Sequence, residues 1–204
     1  MKDHFFRPKR RYMRLRNYNY SETGAYFVTI CAYQKRCMFG EISDGAMVLN
    51  KLGTLIESTW LQLSDHLPGL ALDEFVIMPN HLHGIVALSG TGVMNYASTA
   101  GVNVGARFIA PAPTSLGAVI RSFKARCTVV YRAANSTGTD PLWQRNYYEH
   151  VIRNGKSLCA IREYIVNNPA QWALDRENPD FDASAMDGRD ESRPYDAPPP
   201  GVGA

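Results

Sequence analysis

The sequence predicts an α+β protein with a mostly antiparallel sheet and with helices packed on one face of that sheet. Segments rich in aromatic and β-branched residues, typical of strands, alternate with segments whose apolar residues recur at helical spacing. Their order along the chain is strands, helix, two strands, helix, further extended chain, helix, which favours this fold class. Hydrophobic residues form 45% of the chain, which is a globular composition with enough apolar side chains for a core.

The first half of the chain supplies most of the predicted sheet. Asp44-Gly45 is typical of a hairpin turn, and Asn50 is placed to cap the helix that follows. Pro68-Gly69 ends that helix, and Pro79-Asn80 forms a turn between two strands. The predicted elements are a strand over Gly24–Arg36, a hairpin of Met38–Ile42 with Ala46–Leu49, a helix from Asn50 to Pro68, and strands over Leu70–Met78 and His81–Leu88.

The second half begins with a segment of small residues and prolines that lacks a period, and residues 89–114 are therefore predicted to form a long loop. Ser115 is placed to cap a second helix that extends to about Tyr131. The stretch from Leu142 to Arg153 is predicted to be partly extended. A third helix is predicted from an N-cap at Ser157 to Pro169, because the residue before a proline avoids the helical conformation.

Charge divides the chain into three predicted regions: a basic arm at 1–21, a domain at 22–173 and an acidic, disordered tail at 174–204. Residues 1–16 hold seven Lys or Arg and one acidic residue, whereas residues 174–204 hold eight Asp or Glu and three Arg. This balance favours a polyanionic partner for the part before the tail. No apolar run approaches the roughly 18 residues of a membrane span, and four cysteines without a CxxC pair favour a reducing cytoplasm.

The segment FVIMPNHLHGIV, at Phe75–Val86, contains a candidate metal site. Residues two apart on a strand point to the same side, so His81 and His83 share a face from which two imidazoles can chelate one divalent ion. A pair of polar residues on a solvated strand face is the alternative that the pattern alone leaves open.

The segment REYIVNNPAQW, at Arg162–Trp172, contains a candidate nucleophile. On a helix, Tyr164 and Asn168 are neighbours four residues apart, so a phenol and an amide oxygen lie on one face. A core tyrosine and an asparagine that merely ends the helix are the alternatives.

Three blocks taken together, FVIMPNHLHGIV, LGAVIRSFKARCT and LWQRNYYEHVIRN…IREYIVNNPAQW, resemble the REP-associated tyrosine transposases of the single-tyrosine HUH superfamily. The resemblance extends from about Ala25 to Trp172. It implies a ferredoxin-like fold, with His81 and His83 as metal ligands, Asn168 in the position of the third ligand and Tyr164 as the nucleophile. Two imidazoles and an amide suit Mn²⁺ or a similar ion, whereas Mg²⁺ would rely on water and phosphate oxygens. It also implies single-stranded or hairpin DNA as the partner. Attack by a tyrosine on a phosphate would give a 5′-phosphotyrosine intermediate. A cytoplasmic, nucleoid-associated location and a possible homodimer are further expectations.

Basic and aromatic residues outside these motifs are candidates for DNA binding, through phosphate contacts or base stacking. Two other functions remain open at this point: a hairpin-DNA binder that has lost catalysis, and a metal-dependent phosphodiesterase or RNase without a covalent step. The candidate phosphate contacts are Arg121, Lys124, Arg126, Arg145 and Arg153, and the candidate stacking residues are Trp143, Tyr147 and Tyr148.

Overall fold

A computed structural model describes residues 23–89, 115–134 and 140–181 of the 204-residue chain. The predicted arm at 1–21, the residues 90–114 of the predicted loop, and residues 182–204 of the predicted tail lie outside the described residues. Among the helices of the described ranges, none is long and apolar enough to cross a membrane.

The described residues form six strands, four helices and two 3-10 turns. The strands are β1 (Gly24–Cys31), β2 (Gly40–Ser43), β3 (Ala46–Leu49), β4 (Leu70–Ile77), β5 (His81–Leu88) and β6 (Tyr148–Ile152). The helices are α1 (Lys51–Leu61), α2 (Leu63–His66), α3 (Leu116–Ala134) and α4 (Gly155–Asn167), and the 3-10 turns span Tyr33–Lys35 and Pro169–Leu174.

The main sheet has four strands in the order β4-β5-β1-β6, and each neighbouring pair is antiparallel. The chain order β1-α1-β4-β5-α3-β6 is the β-α-β-β-α-β arrangement of ferredoxin-like folds. β2 and β3 form a separate hairpin between β1 and α1. The predicted α+β class with a mostly antiparallel sheet is therefore confirmed.

The two faces of the main sheet are covered by different helices. Tyr26, Val28 and Leu82 on one face belong to the large hydrophobic core, which also contains residues of α1 and α3. The alternate residues Phe27 and Ile85 belong to a smaller cluster that contains two isoleucines of α4. α1 and α3 thus occupy the predicted face, while α4 lies on the opposite one. β1 and β5 are buried along both faces, so a single helical layer does not suffice to cover them.

Local signals set most element boundaries. The predicted cap at Asn50 is confirmed, because its side chain accepts hydrogen bonds from Leu52 N and Gly53 N. β1 ends at Cys31 rather than Arg36, because Gln34 and Lys35 adopt positive φ values of 55° and 54° that a strand does not allow.

The cap of α4 differs from the prediction by three residues. The side chain of Asn154, rather than Ser157, caps the helix by accepting a hydrogen bond from Ser157 N. An asparagine side chain at the N-cap accepts from the backbone amide three residues later, in the way that a serine at an N-cap does. The first helix is also shorter than predicted, with α1 ending at Leu61 and the short α2 following it.

Candidate metal and nucleophile site

His81 and His83 open β5 on the face that α4 covers. Their side chains are 0% and 2% exposed, and their Nε2 atoms are 3.0 Å apart. The strand places them together because residues two apart share a face, as the sequence predicts. The alternative of a solvated strand face does not hold, since both rings are buried.

Each imidazole also uses its Nδ1 atom. His81 Nδ1 lies 2.8 Å from Asn80 Oδ1, and His83 Nδ1 lies 2.9 Å from Thr29 Oγ1 on the neighbouring strand. An amide oxygen only accepts, so His81 carries its proton on Nδ1 and leaves a lone pair on Nε2. A threonine hydroxyl donates or accepts, so His83 can adopt the same tautomer. Such outer partners are typical of metal-ligating histidines.

Asp175 brings a carboxylate to the two imidazoles. Its Oδ2 atom lies 3.6 Å from His81 Nε2 and 4.0 Å from His83 Nε2, and the ligand atoms of all three residues lie within 4.8 Å of one another. These separations are too long for hydrogen bonds. Asp175 was not among the predicted site residues, because it lies in the acidic segment from residue 174 onward that the sequence predicts to be a tail. Asp175 is nevertheless buried, and Asn80 Nδ2 donates to Glu177 O at 2.6 Å, so two residues of this segment contact the site or its neighbours.

Burial and charge set the protonation of these groups. Burial lowers the pKa of the His81 imidazole well below its usual value, and His83 lowers it further, while Asp175 opposes the shift. Burial by itself raises the pKa of the Asp175 carboxyl, but the imidazoles of His83 and His81 outweigh burial and hold that pKa below its usual range. The site therefore offers a neutral imidazole and a carboxylate, which are the forms that ligate cations.

Tyr164 extends from α4 to the imidazole pair. Its hydroxyl lies 3.2 Å from His83 Nε2. The ring of Phe27, on β1, contacts both side chains: its centroid lies 5.3 Å from that of His83 and 6.1 Å from that of Tyr164. The structure thus brings together the predicted nucleophile and the predicted ligands, which are 81 residues apart in the sequence.

Asn168, the predicted third ligand, lies at the C-terminal cap of α4 and is 2% exposed. Its Oδ1 atom accepts no hydrogen bond within the described residues, and the same is true of Asp175 Oδ2. A buried oxygen without a donor is costly, and a cation beside the two imidazoles would satisfy Asp175 Oδ2. Two imidazole nitrogens with carboxylate and amide oxygens fit Mn²⁺ or a similar divalent ion. Asp175 is the oxygen donor that lies beside both rings.

A scan against protein-family models found no match. An uncharacterized protein of Haemophilus influenzae (strain ATCC 51907 / DSM 11121 / KW20 / Rd) is 43% identical over 171 residues, covering 82% of this chain and 92% of that protein. The chain belongs to the same family as this Haemophilus protein. A REP-associated tyrosine transposase, solved bound to a REP hairpin, superimposes with a TM-score of 0.50 at 18% identity, covering 79% of this chain and 75% of the other. At that identity the likeness shows the fold, which is transposase-like.

Two of the predicted DNA-binding residues, Trp143 and Lys124, make contacts within the protein. Trp143 is 6% exposed and packs between Phe39 and Phe123, at centroid distances of 5.4 and 5.5 Å, which leaves little of its ring available to stack on a base. Lys124 donates to the carbonyl oxygens of Gln144 and Asn146, both at 2.8 Å, and burial lowers its pKa to about 8. It ties the segment before β6 to α3.

The other predicted DNA-binding residues fall into three groups. Arg121 and Arg126 lie on α3, on the side of the sheet opposite to the imidazoles, and Arg126 Nη2 donates to Gln62 Oε1 at 3.3 Å. Arg145 and Arg153 are exposed at the two ends of the segment that contains β6. The two partly buried tyrosines lie on different faces of the sheet: Tyr147 packs on the large core, and Tyr148 packs on the cluster that contains α4.

Proposed function

We propose that this protein is a metal-dependent enzyme that nicks single-stranded DNA and transfers the cut strand, with Tyr164 as the nucleophile. The observation that carries the proposal is the 3.2 Å separation between the Tyr164 hydroxyl and His83 Nε2. A phenol beside a buried pair of imidazoles and a carboxylate matches the requirement for a nucleophile next to a cation site.

The proposed reaction is a phosphoryl transfer to tyrosine. The Tyr164 oxygen loses its proton and forms a bond to the scissile phosphorus, while the bond from phosphorus to the 3′ oxygen breaks and that oxygen takes up a proton. The products are a 5′-phosphotyrosine and a free 3′-hydroxyl, and a second 3′-hydroxyl reverses the step to join DNA. Mg²⁺ or Mn²⁺ held by His81, His83 and an oxygen from Asp175 or Asn168 would neutralise charge on the phosphate.

Two sets of contacts within the site favour this chemistry. The neutral His81 ring keeps its Nε2 lone pair directed at the site because Asn80 holds the opposite nitrogen. Phe27 packs against both the His83 and Tyr164 rings, which restricts the tyrosine to the neighbourhood of the cation site. A nucleophile that is already in place reduces the entropy lost on reaching the transition state.

Hairpin DNA with single-stranded flanks is the proposed substrate. The solved protein with a similar fold is bound to a REP hairpin, and three sequence blocks of this chain resemble the same class of transposases. Exposed Arg145 and Arg153 can contact phosphates, and Tyr147 and Tyr148 can stack on unpaired bases where their rings reach the surface. A homodimer stays part of the proposal as one arrangement.

Trapping a covalent adduct tests the proposed nucleophile. Wild-type protein, Mn²⁺ and 5′-extended hairpin DNA should give an adduct that survives a denaturing gel and carries the new 5′ end. Tyr164→Phe should abolish the adduct and retain DNA binding, because only one oxygen is lost. Tyr131→Phe, a buried tyrosine on α3 across the sheet, is the matched control and should form the adduct normally.

Two outcomes would contradict this assignment. An adduct from Tyr164→Phe would move the nucleophile to another tyrosine, with Tyr147 and Tyr148 tested next. Cleavage by the wild-type protein without any adduct would instead show hydrolysis by water, and the function would be that of a metal-dependent phosphodiesterase.

A further inference from the structure

We propose that Asn80 is a positioning residue that sets the orientation of the His81 imidazole and seats the segment carrying Asp175 with the same side-chain amide. The inference rests on the proposed metal site and assigns a role to a residue that lies outside the ligand set. Asn80 is 0% exposed and directly precedes β5, at the turn from β4.

Both N–H donors and the oxygen of the Asn80 side chain have partners. Its Nδ2 donates to Lys35 O at 3.0 Å and to Glu177 O at 2.6 Å, and its Oδ1 faces His81 Nδ1 at 2.8 Å. Two carbonyl oxygens can be satisfied only by the NH₂ group, which fixes the orientation of the amide. The oxygen must then face His81, so the two carbonyl groups indirectly determine which nitrogen of His81 carries the proton.

The bond to Glu177 O holds the backbone two residues after Asp175. Asp175 Oδ1 accepts from Glu177 N at 2.7 Å, which leaves Oδ2 as the atom that lies 3.6 Å from His81 Nε2. The amide of Asn80 therefore contacts one side of the His81 ring and, through Glu177, places a carboxylate on the other side. Orientation of the imidazole and placement of the carboxylate are thereby coupled.

Lys35 provides a second, more exposed attachment of the same segment. Its Nζ lies 3.2 Å from Glu177 Oε2 and donates to Arg176 O at 3.0 Å, and 42% of its side chain is exposed. An ion pair at this exposure contributes little. Hydrogen bonds inside a buried network contribute more and are costly to leave unmade. The buried amide of Asn80 is therefore the stronger candidate for seating the segment.

Asn80→Asp separates the two roles, because a carboxylate still accepts from His81 Nδ1 but cannot donate to the carbonyl oxygens of Lys35 and Glu177. We expect the amides of Glu177 and Asn178 to lose hydrogen-exchange protection in the metal-free protein. We also expect Mn²⁺ affinity, measured by calorimetry, to fall about 10- to 100-fold. Adding Asp175→Ala to Asn80→Asp should lower the affinity little further, because both changes remove the same carboxylate from the site.

Thr29→Val is the matched control. It removes the Nδ1 partner of the other imidazole without touching the Asp175 segment, so Mn²⁺ affinity should fall while protection of Glu177 and Asn178 stays at the wild-type level. Asn80→Ala gives the same exchange test without a buried charge, in case Asn80→Asp does not fold. Unchanged protection in the folded Asn80 variants would overturn the inference. Failure of the wild-type protein to bind Mn²⁺ would contradict the proposed metal function, while the exchange result would still decide the seating role.

Discussion

On one face of β5, Leu82 and Val86 pack into a large apolar core with α1 and α3, and on the other face His81 and His83 lie among polar groups. The first face is filled by large side chains such as Trp60. The second holds a small cluster in which two isoleucines of α4 meet Phe27 and Ile85. Consecutive residues of one strand therefore have different roles.

This division separates stability from chemistry. Burial of apolar area stabilises the fold mainly on the α1 and α3 face. The α4 face contains buried imidazoles, a carboxylate and an amide oxygen, which add little to stability because their desolvation is unfavourable. Substitution of His81 or His83 should then affect mainly the proposed cleavage, whereas substitution of Leu82 should affect mainly the free energy of unfolding.

The largest expected effect is on cleavage by the double variant His81→Ala/His83→Ala. Loss of the proposed cation site should remove several kcal/mol of transition-state stabilisation, on the order of a 10³-fold slower reaction. The melting temperature without metal should fall modestly, because the Nδ1 contacts to Asn80 and Thr29 are lost. Melting curves with and without Mn²⁺ check this, and a double variant that keeps the metal-induced shift would place the cation elsewhere.

Leu82→Ala, between the two histidines, should affect the opposite property. Removing a fully buried leucine from the large core should lower the free energy of unfolding by about 2–5 kcal/mol. The folded fraction should still form the DNA adduct. Urea unfolding measures the change, and Val129→Ala, at a 68% exposed position on α3, is the control with little expected loss. Equal stability of Leu82→Ala and wild type would refute the division between the faces.

Gly84→Ala tests how tightly the core face is packed. A Cβ atom at this position would lie 2.6 Å from Trp60 Cζ2 and 3.3 Å from Phe75 Cβ. Overpacking of this kind should cost about 1–3 kcal/mol of unfolding free energy. Gly155→Ala at the start of α4 is the control, since an added Cβ there meets nothing within 4 Å. Thermal unfolding of both variants gives the comparison, and a destabilised Gly155→Ala would remove the significance of the Gly84 result.

The smallest expected effect concerns the attachment of α4 to the sheet. Arg162 Nε and Nη2 donate to the two carboxylate oxygens of Asp73, at 2.9 and 2.5 Å. Asp73 lies in β4, where the pairing with β5 shifts register between Leu72 and Phe75. Asp73→Asn should slow adduct formation by at most about fivefold, because solvent weakens an ion pair whose side chains are 43% and 26% exposed. Single-turnover rates measure the effect. The exchange Asp73→Arg/Arg162→Asp should restore part of the rate if the pairing positions Tyr164.

The sequence predicts the two histidines of β5, which are close together in the chain, better than it predicts Asp175, which is far from them in the chain. Alternation along β5 places His81 and His83 on one face without further information, and the cap at Asn50 follows from its own side chain. The position of α4 on the second face of the sheet is harder to predict. It follows only if β1 and β5 are recognised as buried on both faces, where apolar residues are consecutive rather than alternating.

Asp175 could not be predicted in the same way. It opens a stretch whose acidic composition is typical of disorder, and only the apolar residues just before it, Trp172 and Leu174, indicate packing. Its approach to His81 depends on long-range contacts, including the hydrogen bond of Asn80 to Glu177, which are 97 residues apart. Composition describes an average over a segment, whereas a ligand is one residue held by contacts from elsewhere.

The distance along the chain between β5 and the α4 segment has a consequence for synthesis on the ribosome. β1, α1, β4 and β5 are complete well before Tyr164 and Asp175 are added, because both lie beyond the last strand of the sheet. Chains generally begin to fold from the N-terminal side as they emerge. A growing polypeptide therefore holds its two histidines before Tyr164 and Asp175 can reach them, and the proposed capacity to cut DNA would arise only after the C-terminal portion has been released.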